Sequence, residues 1–394
     1  MKINQPTAMI IGTATGIPDG VIDQDVAAGI VQRLGLTKRW NKVLPKLYLK
    51  SGVLRRSSVL LGPPNDLDPD SRQTFYKPPT DAAPLGPTTS ERMEVYAQQA
   101  GPLLQKVCVS ALKQAGLDAS RITHLITVSC TGFCAPGLDH ALFESLGLQP
   151  TTQRSHIGFM GCHAMVNGLR VAQAIAQSDP QAVVLVGAVE LCSIHQQYTE
   201  DPEQIVANSL FSDGAAAAVV VNSTQSVENP AAENPVVEKP RADSWRMVSS
   251  LSFKVPDSAH LMTWKIGDHG FQMTLSSQVP MRIEEQLRSP LEDWLKQLGF
   301  GLTNIQQWVV HPGGPRILDS VDQAMGLGPS TLAASRKTLA NFGNMSSPTI
   351  MFIMEEIVRS SEVATYGPTQ GLWLVLGFGP GLHAEALLLE RSPN

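Results

Sequence analysis

The run His156-Ile-Gly-Phe-Met-Gly-Cys162-His-Ala-Met165 continues as Val166-Asn-Gly-Leu-Arg-Val-Ala-Gln-Ala-Ile-Ala-Gln177, and the apolar stretch Ala182-Val-Val-Leu-Val-Gly-Ala188 follows after a short gap. Met165, Leu169, Ala172 and Ile175 recur at helical spacing, whereas Ala182 to Ala188 is the short continuous apolar run of a buried strand. Ile122 to Ser129 (ITHLITVS) reads as another such strand upstream. A helix between buried strands is the repeating unit of an α/β protein. Cys162 then falls at about the first residue of that helix.

Working outward, Glu91 to Gly116 reads as a helix with a bend at Gly101-Pro102. Pro280 to Gly299 and Pro315 to Gly326 are helix-like, as is Thr349 to Val358. Gln307 to Val310, Leu372 to Gly377 and Ala384 to Leu389 are strand-like. Between Asn222 and Asp243 the composition turns to Asn, Pro, Glu and Ser, the chemistry of a surface connection. An internal echo spans this connection. Leu112-Lys-Gln-Ala-Gly and Leu295-Lys-Gln-Leu-Gly each end a helix, and each is followed by an Ile and a buried strand. The expectation is two duplicated halves, residues 1–230 and 231–394, with a site at their seam.

A chain of 394 residues can bury a large core. Charged residues make up 16%, against a usual share of about 25%, which points to surface covered by a partner, most simply a second copy of the chain. A net charge of -5 gives no global field for nucleic acid. No stretch has the length or apolarity of a membrane span. The five cysteines are scattered, and the first residues lack the apolar core of a secretory signal, so a reducing, cytoplasmic location is expected. Cys130 and Cys134 have no second Cys or His pair to complete a zinc site, so no metal is expected.

Three residues carry the chemistry. A free thiol with pKa near 8.5 is only about 3% thiolate at pH 7, and a helix N-terminus with an imidazolium can make thiolate the major form. Cys162 has the first of these, and Gly161 before it suits a tight turn that aims the side chain outward. A buried, inert cysteine is the competing reading. His311 ends a strand and precedes Pro312-Gly-Gly-Pro315, which halts the sheet and would hold the imidazole at a rim. His163 adjoins Cys162, but neighbouring helical residues point about 100° apart, so it faces elsewhere. Asn344 sits in a glycine-flanked turn before a helix, where it can serve either as a cap or as an oxyanion donor.

A basic run completes the inventory. Lys38 to Arg56 holds seven basic residues and no acid, with Lys38, Lys42, Lys46 and Lys50 spaced by four and Pro45 marking a break or a helix start. A solvated face is the usual meaning of such a run. Beside an acyl nucleophile, the phosphates of coenzyme A are the alternative.

Gly161-Cys-His163, His311-Pro-Gly-Gly-Pro315, Gly343-Asn-Met-Ser-Ser347 and Gly377-Phe-Gly-Pro-Gly381 together resemble the chalcone and stilbene synthases, the type III polyketide synthases. Ile11-Gly-Thr-Ala14 and Leu210-Phe-Ser-Asp-Gly-Ala-Ala-Ala217 extend the resemblance over essentially the whole chain. It implies a thiolase-like five-layered αβαβα fold, working as a homodimer on acyl-CoA and malonyl-CoA without metal or other cofactor. By position, Cys162 would be the nucleophile, and His311 and Asn344 would hold the oxyanion and the malonyl-derived enolate. Phe211 matches a gating phenylalanine, and Met273 stands where a second one is usual. Lys46 and Lys50 match coenzyme A contacts, Val43 replaces a third, and Arg316 is a further candidate contact.

Cys130, Thr131, Cys192, His195, Trp264 and Ser346 occupy the family's cavity positions, and Glu190 with Ser346 is a candidate pair for activating a water. The cysteines at 130 and 192 resemble bacterial members, and Trp264 with His195 would narrow the route for a bulky aromatic starter. The resemblance therefore implies a fatty acyl starter and an alkylpyrone or alkylresorcinol product, with a malonyl or short acyl starter giving phloroglucinol- or naphthalene-type products as the alternative. Two other classes share the Cys, His, Asn set. A ketoacyl-ACP synthase would condense once, and a papain-like hydrolase would form no C–C bond but lacks its own signature around Cys162.

Overall fold

The computed structural model describes residues 7–62, 72–223, 244–328, 330–360 and 366–391. The first half runs β1 (Ala8–Gly16), β2 (Val21–Asp23), α1 (Gln24–Leu34), α2 (Leu44–Lys50), β3 (Arg55–Ser57), α3 (Thr89–Ala115), β4 (His124–Ser129), α4 (Leu138–Leu146), β5 (Gln153–Gly158), α5 (Ala164–Ser178), β6 (Val183–Leu191), α6 (Pro202–Leu210) and β7 (Asp213–Asn222). The second runs β8 (Trp245–Lys254), β9 (Met262–Gly267), β10 (Gly270–Leu275), α7 (Val279–Gln286), α8 (Arg288–Gln297), β11 (Ile305–Val310), α9 (Pro315–Met325), α10 (Ala333–Phe342), α11 (Thr349–Arg359), β12 (Gly371–Gly379) and β13 (His383–Arg391).

Nine strands follow the order β11-β12-β13-β8-β1-β7-β6-β4-β5. The order is the same read outward from its middle. β6 lies parallel to β4 and antiparallel to β7, and β7 runs antiparallel to β1. Likewise β12 lies parallel to β11 and antiparallel to β13, and β13 runs antiparallel to β8. The halves join where Met9 pairs with Arg246 and Ile10 with Trp245. The repeated Leu-Lys-Gln segments end α3 and α8 and lead into the equivalent strands β4 and β11, which is the duplication read from the sequence.

Strand alternation sorts the side chains into layers. Val184 and Val186 of β6 share a core with Leu169 and Ala172 of α5, Ile353 and Ile357 of α11, and Val375 of β12, so α5 and α11 lie between the two halves. Val183 and Leu185 face the other way, onto Leu104 and Val107 of α3 and Leu142 of α4. In the second half Leu374 and Leu388 meet Ile283 of α7, Leu295 of α8 and Val321 of α9. The layers are therefore α, β, α, β, α, the five-layered thiolase-like fold. The helix expected over 280–299 is two helices, α7 and α8, meeting at Leu287. The connection expected between Asn222 and Asp243 lies, from 224 to 243, outside the described residues.

Candidate active site

Cys162 sits in a 3-10 turn, Gly161–His163, that leads into α5. Gly161 has φ 79°, and a Cβ there would collide with the Cδ of Pro380. Glycine is required at this turn, which sets the entry angle of the thiol. The Gly161 N–H donates to Cys130 Sγ at 3.0 Å, so Cys130 holds the turn from behind. Burial pushes the Cys162 thiol up to about 11, against lowering by hydrogen bonds to Ser346 and Asn344. The expected thiolate is thus absent from the resting pocket, because burial outweighs the helix end. His163 turns away, its Nδ1 against Asn167 Oδ1 at 2.8 Å.

His311 follows β11, and its N–H donates to Leu376 O at 2.8 Å. His311 is 1% exposed, in the interior rather than at the expected rim. Burial, with His163 nearby, pushes it down to about 3, and both ring nitrogens lack a hydrogen-bond partner among the described residues. Asn344 comes from the turn after α10 and pairs with Phe211 as an isolated parallel bridge. Its side-chain Oδ1 accepts from Ser346 N at 2.8 Å, and Pro348 occupies the N-cap of α11, so Asn344 does not cap that helix.

Cys162 from one half and His311 and Asn344 from the other line one small chamber, shared with Met262, Met273, Ile317 and Phe378. A neutral thiol, an imidazole with free nitrogens and a side-chain amide can take up a proton and hold an oxyanion. Behind the chamber lies Glu190. Its carboxylate accepts from Cys130 N at 2.9 Å, Thr131 Oγ1 at 2.8 Å and Ser347 Oγ at 2.7 Å, and burial pushes it up to about 7. The hydroxyl that reaches Glu190 directly is that of Ser347, while Ser346, with φ 56°, turns toward Cys162. Sequence reasoning missed Ser347.

A second cavity begins at Met273, which it shares with the chamber. Phe211, Cys192, His195 and Trp264 line its near end, and Ile22, Ala27, Ile30, Leu34 and Leu61 line its far end beneath α1. Met273 and Trp264 are cross-strand partners in the β9–β10 hairpin, so both project from one face. Trp264 Nε1 donates to Cys130 O at 2.7 Å. His195 stacks on Phe271 at 4.1 Å between centroids, accepts from Phe271 N at Nδ1 and donates from Nε2 to Thr131 O. Its burial keeps it neutral, with a pKa near 3. Cys130 and Thr131 thus brace this wall.

Pro45 begins α2, which leaves Lys46 and Lys50 exposed together on one face. A Cβ on Gly52 would stand 2.9 Å from Pro315 Cγ, so the end of α2 abuts the start of α9, where Arg316 is exposed. Gly313 and Ile317, flanking that helix start, line the Cys162 chamber. Among the described residues, no helix is long and apolar enough to cross a membrane, and no cluster of His, Cys, Asp and Glu could hold a metal ion.

The model for the N-terminal domain of chalcone and stilbene synthases matches residues 1–224, and that for the C-terminal domain matches 246–393. The chain is 31% identical over 383 residues to the alpha-pyrone synthesis polyketide synthase-like Pks18 of Mycobacterium tuberculosis, covering 97% of this chain and 91% of that protein. PKS-I of the brown alga Ectocarpus siliculosus superposes with TM-score 0.86 at 27% identity, over 99% of this chain and 100% of that one. The C-terminal type III polyketide synthase domain of Steely1 from Dictyostelium shares the fold, with TM-score 0.81 at 24% identity over 98% and 99% of the two chains.

Proposed function

This chain belongs to the chalcone and stilbene synthases and is a type III polyketide synthase, and we propose that it primes itself with a fatty acyl group on Cys162, extends it with malonyl-CoA and closes an alkylpyrone or alkylresorcinol. In the loading step, the Cys162 sulfur attacks the acyl-CoA carbonyl as its proton passes to His311, and the oxyanion that forms beside the imidazole stabilises the resulting imidazolium. The oxyanion lies between His311 and Asn344, and coenzyme A leaves as its thiol with that proton. In the extension step, malonyl-CoA loses carbon dioxide, and the same two residues hold the enolate. Its carbon attacks the acyl group on Cys162, a C–C bond forms, and the Cys162 sulfur departs as thiolate; that thiolate then attacks the thioester of the lengthened chain, coenzyme A leaves, and the chain is back on Cys162 for the next round.

The observation that carries the starter assignment is the cavity beneath α1, whose far end is formed by Ile22, Ala27, Ile30, Leu34 and Leu61. Its lining there is aliphatic, which suits an alkyl chain. The relative from Mycobacterium tuberculosis is itself named for alpha-pyrone synthesis. Phosphates of coenzyme A would meet Lys46, Lys50 and Arg316, beside the helix start that faces the chamber. The proposal includes cofactor-free action in the cytoplasm as a homodimer, which would cover the exposed neighbours Phe133 and Phe159, 6.2 Å apart.

The aromatic wall of Trp264, His195 and Phe271 favours a second reading, a malonyl or short acyl starter. A series of saturated acyl-CoAs with malonyl-CoA separates the two. Each buried methylene contributes about 0.8 kcal/mol, so kcat/KM is expected to rise about fourfold per methylene until the cavity is full. A value that falls from the shortest starter onward overturns the fatty acyl assignment.

A further inference from the structure

Arg56 is 9% exposed and meets no carboxylate within ion-pair distance among the described residues. A buried cation without a counter-ion is costly unless other groups compensate for lost water. The buried Asp213 carboxyl is near enough to feel the Arg56 charge without pairing with it, and the direct contacts come from a helix end. Arg56 Nη1 donates to Asn208 O at 2.8 Å and to Phe211 O at 3.1 Å, both at the C-terminus of α6. Its Nε donates to Gln24 Oε1 at 2.9 Å, and Gln24 Nε2 donates to Ser209 O at 2.7 Å. The guanidinium carbon lies 5.0 Å from the Tyr48 ring centroid.

The last carbonyls of a helix have no partners within it and carry its negative end. At this end four successive carbonyls, the last three of α6 and that of its C-cap, are received from outside: Asn208 and the C-cap Phe211 by Arg56, Ser209 by Gln24, and Leu210 by the Asn344 N–H at 2.9 Å. Asn344 O in turn accepts from Ser212 N at 2.9 Å. Gly343, next to Asn344, has its ideal Cβ position 3.7 Å from Arg56 Cβ. One helix end is therefore capped jointly by Arg56 and by the backbone of a proposed oxyanion residue, and its C-cap is Phe211 in the cavity wall.

We infer that Arg56 is a positioning residue for the reaction: it fixes the end of α6 so that Phe211 and Asn344 stay paired and the Asn344 amide stays aimed at the thioester carbonyl. This rests on the reading that Asn344 serves the acyl chemistry. Lysine keeps the charge but cannot bridge two carbonyls and a side chain at once. Arg56→Lys is expected to lower kcat at least about tenfold with KM for the acyl-CoA within about twofold, at a melting temperature near that of the wild type.

A merely structural arginine could give the same loss, so the deciding readout is the double variant. In an Asn344→Ala background, Arg56→Lys should cost less than about a further twofold, because the group it positions is gone. If Arg56→Lys does not fold, Gln24→Leu removes the Nε anchor and the Ser209 contact and should show the same non-additive loss. Full additivity with Asn344→Ala, or an unchanged kcat, overturns the assignment of Arg56. An Asn344→Ala variant that condenses at the wild-type rate overturns the proposed role of Asn344 instead.

Discussion

Glu190 lies beneath the acyl chamber with a pKa pushed from 4.5 up to about 7, burial being the main cause. Such a carboxyl binds its proton more tightly in the folded state. Below about pH 4.5 it is protonated in both states and costs nothing. As pH rises toward 7, the unfolded chain releases the proton while the folded protein keeps it, and stability falls. Above 7 the full difference applies, about 3 kcal/mol at 1.36 kcal/mol per pH unit. Glutamine at this position fits the same partners, since its carbonyl can accept from Cys130 N and Thr131 Oγ1 and the Ser347 hydroxyl can rotate to accept from its amide. Glu190→Gln removes the titration and leaves other groups, such as Asp213, common to both proteins. The melting temperature of the variant relative to wild type should rise between pH 4.5 and 8. With an unfolding entropy of about 2.1 cal/mol/K per residue, 3 kcal/mol corresponds to about 4 °C. Paired melts by circular dichroism across that range test it, and a difference constant to within about 1 °C refutes the reasoning.

Gly161→Ala places a methyl against Pro380 and forces a left-handed φ on a non-glycine residue, so a destabilisation of about 2 kcal/mol or more is expected together with loss of Cys162 acylation, read by thermal melt and by labelling with acyl-CoA. Asn344→Ala is expected to slow malonyl-CoA decarboxylation about a hundredfold or more, the usual effect of losing one oxyanion donor, measured by carbon dioxide release. Trp264→Ala removes one face of the aromatic wall and the bond to Cys130 O, and should admit aromatic acyl-CoA starters at a stability cost of about 3 kcal/mol. An unchanged starter range in product mass spectra would contradict the narrowing role of Trp264.

The helix after Cys162 and the strands beside it were legible because each buries a stripe or a run of apolar residues. The central strand β7 was harder to read. Its Gly214-Ala-Ala-Ala-Ala-Val-Val-Val221 is buried on both faces, so no alternation marks it and its alanines favour helix instead. The duplication showed through only where Leu-Lys-Gln ends a helix on each side. In the site, Cys162, His311 and Asn344 stood out because turns and glycines punctuate them. Their ionisation did not, since burial of the thiol and of the imidazole depends on residues brought together from both halves of the chain. That Ser347 reaches Glu190 directly while Ser346 turns toward Cys162 goes with one left-handed residue, a conformation that residue names do not reveal. Arg56 was read as one charge in a basic run, and its burial against α6 emerges only when Asn208 and Phe211 are brought to it.

Every proposed step depends on Cys162 carrying the growing chain. Purified enzyme mixed with a long-chain acyl-CoA, quenched in acid and digested, should yield the peptide containing Cys162 with the acyl mass attached, and brief exposure to malonyl-CoA should add species heavier by whole ketide units. Acyl mass on another residue, or a Cys162→Ala variant that still forms polyketide product, would contradict it.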